Sequence, residues 1–323
     1  MKDFAGKIAV ITGGGTGMGR ELARQLVAEG CDVAMCDVSA ENMAESVAVC
    51  EAEAPQGVRL SSFVCDVSDA EQMEAFAEHV RDNFDTGHIN LLFNNAGIGG
   101  GGSFLKESRE QWEKTFNVCW GGVYNGARAF MPLLVASREG HIINTSSING
   151  LWACLGPVGS HTAYSAAKFA VRGLTEALNV DFRVNAPHLT ASVVMPGHIG
   201  TGIVRNSMIL MGMDPKNMSD EGVARVRQNL AARGIDTNGA SDEDIRSLAQ
   251  LRVEMFENEA PTTADEAAAI ILDAVRTGQW RVLVGVDAHD IDHLLRERPA
   301  EAYTDEFMDA LDAMGHFGGL VQR

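Results

Sequence analysis

A tyrosine and a lysine four residues apart are the first candidates for chemistry in this sequence. They are Tyr164 and Lys168, in the segment YSAAK. In a helix, residues with this spacing lie one turn apart on the same face. A lysine ammonium beside a phenol favours the phenolate and lowers a pKa that is ordinarily about 10. The phenol can then give a proton to, or take one from, an alcohol or carbonyl oxygen. The pair therefore predicts a site for acid–base chemistry.

A glycine-rich segment near the N-terminus predicts a phosphate-binding turn. Residues 12–19 read TGGGTGMG and follow a short apolar run. Gly13, Gly17 and Gly19 have the spacing G-x3-G-x-G, which differs from the commoner dinucleotide pattern G-x-G-x-x-G. Both patterns meet one physical need, a tight turn that brings backbone and helix N–H groups close to a pyrophosphate. A glycine-rich turn without a ligand is the alternative.

The end of the second apolar run, DVAMCD, favours NAD over NADP. Its last residue, Asp37, stands where a carboxylate can accept hydrogen bonds from both ribose hydroxyls. It would repel a 2′-phosphate, and residues 38–46 contain no Lys or Arg. A capping or surface aspartate is the alternative. Arg20 could reach an adenosine phosphate, but we expect it to lie along the first helix.

Short apolar segments alternate with helical patterns from the N-terminus to about residue 196. The predicted strands are 7–12, 32–36, 59–65, 89–93, 141–145 and 190–195, and the predicted helices are 18–29, 40–54, 69–85, 109–136 and 162–185. A helix at 264–277 and a strand at 280–284 follow later in the chain. Capping boxes are predicted at 68–71, 108–111 and 263–266. The alternation predicts an α/β fold, a doubly wound parallel sheet with helices on both faces.

Two segments do not belong to this alternation. Residues 202–261 begin with four methionines (Met208, Met211, Met213 and Met218) and continue as predicted helices near 220–233 and 242–258. The methionines could adapt to an irregular apolar ligand or pack the added helices against the sheet. Beyond residue 286 lies an acidic tail with a predicted helix at 305–314, capped by Thr304, that either covers a partner subunit or is solvated. We therefore predict a catalytic domain over 1–286, with a lid insertion at about 202–261, and an extension over 287–323.

Composition narrows the class of partner. The chain has 323 residues, of which 46% are hydrophobic and 22% charged, and a net charge of −18. Such an acidic chain is not expected to bind nucleic acid or a membrane surface. No signal peptide or spanning segment is evident, so we expect a cytoplasmic protein. The six cysteines have no CxxC or zinc-type spacing, which indicates reduced thiols and no metal.

Taken in chain order, seven segments resemble the successive motifs of the short-chain dehydrogenase/reductase family. They are the glycine-rich turn 12–19, Asp66-Val67, NNAG at 94–97, Asn117, Ser146-Ser147, Tyr164-x-x-x-Lys168 and PGHIGT at 196–201. The resemblance covers about residues 4–201 and again 264–285. It implies a Rossmann sheet of seven parallel strands in the order 3-2-1-4-5-6-7 and NAD(P)-dependent interconversion of alcohols and carbonyls. It also implies a homodimer or homotetramer that pairs the helices 109–136 and 162–185.

The same resemblance assigns roles to individual residues. Tyr164 would be the general acid/base, and Lys168 would lower its pKa and bind the nicotinamide ribose. Ser147, chosen over Ser146 as the family's usual catalytic position, would hold the substrate oxygen. Asn117 would hold a water that links Lys168 to solvent.

Cofactor contacts follow from the resemblance in the same way. Asp66 and Val67 would contact the adenine, Asn94 and Gly97 would form the wall beneath the adenosine ribose, and the turn 196–201 would contact the nicotinamide carboxamide. The full implied set is Gly13, Thr16, Gly17, Met18, Gly19, Asp37, Asp66, Val67, Asn94, Ala96, Gly97, Tyr164, Lys168, Pro196, Gly197, Ile199 and Thr201.

The substrate pocket is less clearly marked. Trp152, Leu155 and His161 precede Tyr164 and could line the pocket, with His161 either a second acid/base or a solvated loop residue. The four glycines at 99–102 would make a mobile rim, and the long insertion suggests a bulky hydrophobic substrate or an oligomer contact. We expect an NAD-dependent dehydrogenase of secondary alcohols. An NADPH-dependent carbonyl reductase of the same fold and a nucleotide-binding regulatory module without turnover are the alternatives.

Overall fold

The computed structural model describes residues 1–100, 102–154, 160–232 and 236–315, and a parallel sheet forms its centre. The strands among these residues are β1 Ile8–Thr12, β2 Asp32–Asp37, β3 Leu60–Val64, β4 Leu91–Asn94, β5 Gly140–Thr145, β6 Leu189–Pro196, β7 Ile199–Gly200, β8 Thr262–Thr263 and β9 Arg281–Val284. Seven of them form the sheet in the order β3-β2-β1-β4-β5-β6-β9, with every neighbouring pair parallel. The predicted order is confirmed, and the last strand is β9 because the short β7–β8 pair intervenes.

Helices cover both faces of this sheet. They are α1 Gly17–Ala28, α2 Ala40–Glu53, α3 Ala70–Phe84, α4 Arg109–Phe116, α5 Gly122–Val135, α6 Thr162–Asn185, α7 Ile203–Leu210, α8 Asp220–Ala232, α9 Asp242–Asn258, α10 Ala264–Thr277, α11 Val286–Glu297 and α12 Asp305–Ala313. One hydrophobic core joins α1, α2 and α10 to the sheet, and a second joins α3, α5 and α6. The central strands β1, β4 and β5 are buried along their whole length, as strands covered on both faces are, whereas the edge strand β3 is partly exposed. None of the described helices is long and apolar enough to cross a bilayer.

The predicted helix over 109–136 is confirmed as helical over 109–135, but it is not an α-helix throughout. The chain forms α4, then a π-helical turn at Asn117–Gly121, and then α5. A π turn inserts one extra residue into the helix, and such turns are found mostly at functional positions. A β-carbon on Gly122 would lie 2.6 Å from the Val67 side chain, so the glycine allows α5 to begin close to that residue.

The three predicted capping boxes have three different outcomes. The box at 68–71 is wrong, because α3 begins at Ala70 and Asp69 caps it by accepting from two backbone N–H groups. Ser108 caps α4 by accepting from the Gln111 N–H, which is half of the predicted box. Thr263 and Glu266 form the complete box at α10. Asp69 acts in place of Ser68 because its carboxylate reaches the N–H groups of the second and third helical residues, Glu71 and Gln72.

The described parts of the insertion and of the extension consist mainly of helices. The helices predicted near 220–233 and 242–258 are confirmed as α8 and α9, although residue 233 lies outside the described residues. The predicted helix at 305–314 is confirmed as α12, with the Thr304 hydroxyl accepting from the Phe307 N–H. The helix α11 was missed, although its buried Ala288, Ile291 and Leu294 recur every three residues.

Candidate active site

The carboxyl ends of β1, β4, β5 and β6 lie at one edge of the sheet, which is where ligands bind in open α/β folds. The glycine-rich turn follows β1 and the NNAG segment follows β4. Ser146 and Ser147 follow β5, and Gly197 follows β6. The parallel register therefore gathers segments that are far apart in the sequence along one cleft.

Tyr164 and Lys168 lie on α6 facing this edge. The Lys168 ammonium is 5.3 Å from the centroid of the Tyr164 ring, and its Nζ donates to the Thr145 carbonyl oxygen at 2.9 Å. The lysine is only 2% exposed. Its position beside the end of β5 is thus set by a backbone hydrogen bond, with the tyrosine ring one helical turn away.

The pKa of Tyr164 was expected to be lowered, but in this arrangement it is raised. Burial raises the pKa of the Tyr164 phenol above its ordinary range, and only a hydrogen bond with Ser147 acts in the opposite direction. Burial also lowers the pKa of the Lys168 ammonium. Desolvation penalises the charged form of each group. It prevails here because the ammonium is directed at Thr145 and makes no hydrogen bond to the phenol.

Ser146 and Ser147 make different contacts. The Ser146 hydroxyl donates to the Lys168 carbonyl oxygen at 2.8 Å, a fully internal bond. The Ser147 hydroxyl accepts from the Asn149 N–H at 3.1 Å, and its interaction with the Tyr164 phenol acts to lower the pKa of that phenol. Of the two serines, Ser147 therefore lies beside the tyrosine.

Asn117 is the first residue of the π turn and is exposed. The neighbouring Cys119, which sequence reasoning missed, is fully buried and its thiol donates to the Ile98 carbonyl oxygen at 3.2 Å. Burial raises the pKa of this thiol. Cys119 packs with Ile98, Phe116 and Leu210 in an apolar cluster that also contains Tyr164. The apolar residues around Cys119 were the only feature of the sequence that indicated its burial.

The glycine-rich turn fits a phosphate. Gly13 and Gly17 have φ of +68° and +54°, values that favour glycine, and a β-carbon on Gly19 would lie 2.0 Å from the Gly13 carbonyl oxygen. Thr16 precedes α1 and makes no side-chain capping bond, and the first turn of α1 carries no acidic residue. The N–H groups at this helix end can therefore bind an anion. Met18 packs against the core on the same helix.

A threonine that sequence reasoning missed connects this turn to the end of β4. The Thr12 hydroxyl accepts from the Asn95 and Ala96 N–H groups at 3.0 and 3.1 Å. The Asn95 amide in turn donates to the Thr12 carbonyl oxygen at 3.2 Å. A β-carbon on Gly13 would lie 2.8 Å from the Ala96 Cα. The two turns are thus held in close backbone contact.

Asp37 lies at the carboxyl end of β2 beside the glycine-rich turn. Its carboxylate accepts from the Gly15 N–H at 3.1 Å and from the Ser39 N–H at 3.0 Å. Arg20 is turned toward α2, where it donates to the Gly15 carbonyl oxygen at 2.6 Å and pairs with Glu45 at 3.0 Å. The expectation that Arg20 lies along the first helix is therefore wrong, because its side chain is bound by the glycine-rich turn and by α2.

Asp66, expected at the adenine, and Asn94, expected beneath the adenosine ribose, differ in accessibility. Asp66 is half-buried and accepts from the Ser68 N–H and hydroxyl at 2.9 and 2.7 Å. The Asn94 side chain is 1% exposed and donates to Asn144 at 2.8 Å, between β4 and β5. Its side chain therefore lies inside the protein and forms no ribose wall. Gly97 is nearer to the catalytic pair, since a β-carbon there would lie 3.5 Å from the Lys168 Nζ.

The turn after β6 approaches the glycine-rich turn. A β-carbon on Gly17 would lie 3.0 Å from the Thr201 side chain. The Ile199 side chain, by contrast, is 4% exposed and belongs to the core. The turn also contacts the extension, because the Asp287 carboxylate accepts from the His198 N–H at 2.6 Å.

The expected pocket residues near 151–161 are only partly brought to the site. Trp152 is 1% exposed and packs against Phe307 of the extension, so the prediction that it lines the pocket is wrong. Leu155 lies outside the described residues. The His161 ring centroid is 6.4 Å from that of Tyr164, in an edge-on arrangement. A tryptophan in a loop carries no sequence signal for a partner that is 150 residues away.

Three of the four methionines of the insertion divide between the two interpretations. Met218 is buried among Val223, Leu230 and Ile245, and Met208 packs against this cluster, which agrees with the packing role. Met211 lies at the rim, where a β-carbon on Gly100 would meet its Cε at a distance too short for any side chain. Gly101 of the expected glycine rim lies outside the described residues.

Comparison with known proteins agrees with this geometry. Residues 7–209 match the family model described as short chain dehydrogenase. A Mycobacterium tuberculosis protein named as an oxidoreductase, SadH, is 34% identical over 297 residues, which is 92% of each chain. A levodione reductase from Leifsonia aquatica is 34% identical over 220 residues, covering 66% of this chain and 76% of the relative.

A solved structure agrees over nearly the whole chain. It is a short chain dehydrogenase/reductase from Burkholderia phymatum in complex with NAD, with a TM-score of 0.71 and 29% identity, covering 93% of this chain and 95% of that one. A metagenomic short-chain oxidoreductase in complex with NADP matches 60% of this chain with a TM-score of 0.52. Fold, ordered motifs and relatives thus agree, and the chain belongs to the short-chain dehydrogenase/reductase family of oxidoreductases.

Proposed function

We propose that this protein is an NAD-dependent oxidoreductase that interconverts a bulky secondary alcohol and its ketone, with Tyr164 as the general acid/base. The observation that carries the proposal is the position of the Tyr164 ring on α6, 5.3 Å from the buried Lys168 ammonium, at the ligand-binding edge of the sheet. A bound nicotinamide would supply the hydride acceptor or donor.

The protein groups have distinct tasks in this proposal. Ser147 holds the substrate oxygen next to the Tyr164 hydroxyl. The raised pKa keeps the phenol protonated, which suits proton donation to a ketone oxygen. In the direction of alcohol oxidation, the ammonium of Lys168, 5.3 Å from the ring, stabilises the phenolate that receives the hydroxyl proton. Asn117, exposed at the π turn, would hold the water that connects Lys168 to solvent.

Two contacts support NAD as the cofactor. The Asp37 carboxylate lies against the Gly15 N–H, where it can accept from ribose hydroxyls and would repel a 2′-phosphate. Arg20, which contacts the same glycine through its carbonyl oxygen, is already bound by Gly15 and Glu45. Related structures contain either NAD or NADP, so the preference in this chain rests on these two residues.

Apolar side chains around the tyrosine support a hydrophobic substrate. Ile98, Phe116 and Leu210 form one cluster with Tyr164, and Leu210 comes from the insertion. The Lys114 ammonium donates to the Leu210 carbonyl oxygen at 2.8 Å, and the Gly99 N–H donates to the Ser207 hydroxyl at 2.8 Å. These bonds hold α7 over the cleft, as a lid would require.

We also propose a homo-oligomer that uses α5 and α6. Large apolar side chains are exposed on these helices, among them Tyr124 at 45%, Val180 at 56% and Val184 at 77%. Exposed apolar patches of this kind mark contacts between proteins. Light scattering of the wild type and of Val184→Asp tests the assignment, and a monomeric wild type would contradict it.

The enzymatic proposal is tested with a panel of bulky secondary alcohols and ketones, followed by the absorbance of reduced nicotinamide. Turnover of a panel member with NAD supports the proposal. Binding of NAD with no turnover across the panel would favour the non-catalytic nucleotide-binding module. Tighter binding and faster turnover with NADPH would favour the carbonyl reductase alternative.

A further inference from the structure

The C-terminal extension packs on the segment that follows Ser147. Trp152 and Ile148 from this segment share a buried cluster with Ile291, Phe307 and Leu311 of the extension. The Trp152 and Phe307 rings lie 5.6 Å apart between centroids, and both side chains are almost completely buried, at 1% and 0% exposure. The described part of the extension, residues 287–315, is therefore packed against the rest of the protein.

Hydrogen bonds join the same two segments. The Trp152 indole Nε1 donates to the Ala302 carbonyl oxygen at 2.6 Å. The Ala153 N–H donates to the Tyr303 hydroxyl at 3.3 Å. An indole N–H that is buried needs such a partner, so the extension supplies both the apolar contact and the polar contact that Trp152 requires.

The segment from Ser147 to Trp152 is itself tightly tied. The Ser147 hydroxyl accepts from the Asn149 N–H at 3.1 Å, and a single 3₁₀ turn at Ile148–Gly150 leads to Trp152. The Asn149 amide donates to the Cys154 carbonyl oxygen at 3.2 Å and to the hydroxyl of Ser165, the neighbour of Tyr164, at 3.4 Å. A displacement of Trp152 would consequently move Ser147 relative to Tyr164.

A second contact of the extension reaches the other side of the cleft. Asp287 in the first turn of α11 is 5% exposed and accepts from the His198 N–H. A β-carbon on Gly197 would lie 2.1 Å from its carboxylate. One element thus contacts both the serine segment and the turn that is proposed to hold the nicotinamide.

We propose that the extension is a positioning element of the active site, in which Phe307 acts through Trp152 to hold the Ser147 hydroxyl against Tyr164. This inference rests on the proposed oxidoreductase function. Neither Phe307 nor Trp152 touches the reacting groups, so both are positioning residues. Small displacements of a catalytic group can reduce turnover about a hundredfold, which makes the effect measurable.

The test compares Phe307→Ala with Phe84→Ala, a matched truncation of a buried phenylalanine that is 3% exposed at the end of α3. We expect Phe307→Ala to lower kcat for the alcohol about ten- to a hundredfold, with the Kd for NAD unchanged. Phe84→Ala should leave the kcat of the folded protein unchanged. Phe307→Leu, which refills most of the space, should recover most of the activity.

Hydrogen exchange separates this inference from the proposed function. Peptides covering 147–154 should exchange faster in Phe307→Ala than in Phe84→Ala, whether or not a substrate has been found. If the wild type turns over no panel member, the proposed function fails. Hydrogen exchange at 147–154 then tests by itself whether the extension holds this segment in place. If Phe307→Ala does not fold, Trp152→Phe, which keeps a ring but removes the donor to Ala302, is judged by the same measurements. Wild-type kcat together with unchanged exchange at 147–154 would overturn the inference.

Discussion

The Ser146 hydroxyl is bonded to the Lys168 carbonyl oxygen at 2.8 Å, which fastens the end of β5 to the helix that carries the catalytic pair. Ser147 follows with extended backbone angles, φ of −171° and ψ of 170°. Successive side chains of an extended chain point to opposite sides. Two adjacent serines therefore serve different purposes, one in holding α6 and the other in contacting Tyr164.

This division predicts different kinetic effects of two matched substitutions. Ser147→Ala should lower kcat/KM about 10²- to 10³-fold, as loss of one catalytic hydrogen-bond donor does, and it also removes the acceptor of the Asn149 N–H bond. Ser146→Ala removes a buried hydrogen bond and should lower the free energy of unfolding by about 1–3 kcal/mol. Steady-state kinetics and urea unfolding on both variants check the assignment. A larger kinetic loss in Ser146→Ala than in Ser147→Ala would reverse it.

Replacing Tyr164 by Phe should abolish proton transfer and leave cofactor binding intact. General acid–base groups contribute about 10²- to 10⁴-fold to turnover, so we expect a loss of that size. Tyr124→Phe is the control. Tyr124 is exposed, lies on α5 and stacks on Trp120, whereas Tyr164 lies on α6. NAD titration and kcat are measured on both. Activity of Tyr164→Phe close to that of Tyr124→Phe would remove Tyr164 from its proposed role.

The direction of the Tyr164 pKa can be measured without substrate. Burial raises it above the ordinary value of about 10, so the phenolate should form only at higher pH than in a free tyrosine. The ultraviolet difference between wild type and Tyr164→Phe isolates this group in the cofactor-free protein. Ionisation below the ordinary pKa would show instead that Lys168 prevails over desolvation.

The cofactor preference should depend on Asp37. The wild type is expected to bind NADH at least about tenfold more tightly than NADPH, a difference of about 1.4 kcal/mol. Asp37→Asn removes the charge and should narrow this ratio. Asp32→Asn, at the opposite end of the same strand and paired with Arg59, is the control and should leave the ratio unchanged. Fluorescence titration with NADH and NADPH measures the two dissociation constants. The same ratio of these constants in the wild type and both variants would show that Asp37 does not determine the cofactor preference.

A histidine far from the catalytic pair predicts acid sensitivity. Burial lowers the pKa of His141 from 6.5 to about 4, and its Nε2 lies 2.7 Å from the Ser192 hydroxyl. The unfolded chain binds a proton at this residue below pH 6.5, whereas the folded protein does so only near pH 4. Stability from His141 is therefore complete above pH 6.5 and is lost as the pH falls toward 4, by about 3 kcal/mol in total.

Urea unfolding of wild type and His141→Gln across this range checks the effect. The wild type should lose more free energy of unfolding on acidification than the variant, in which no imidazole takes up a proton. Other groups also titrate, so the difference between the two curves carries the result. Parallel curves of unfolding free energy against pH would show that His141 does not contribute to the acid sensitivity.

Local sequence pattern was sufficient for most of the fold. The seven strands of the main sheet, the helices α1–α3, α6 and α8–α10, and the cap of α12 follow from apolar periodicity and capping residues, which act within a few positions of one another. Motif order likewise led to the sheet topology. The π turn at Asn117–Gly121 was not predicted, since a single inserted residue barely changes the apolar pattern of the helix.

Tertiary packing determined the burial and the pKa values of the side chains, which no local sequence pattern contains. Trp152 was expected in the pocket, yet it is buried because Ala302 and Phe307 come to it from the far end of the chain. The Tyr164 pKa was expected to fall, and it rises because surrounding segments exclude water from the phenol. The sequence alone could name the chemical groups and the elements that carry them. Their burial and their charge depend on which distant segments pack around them, and only the folded structure determines that.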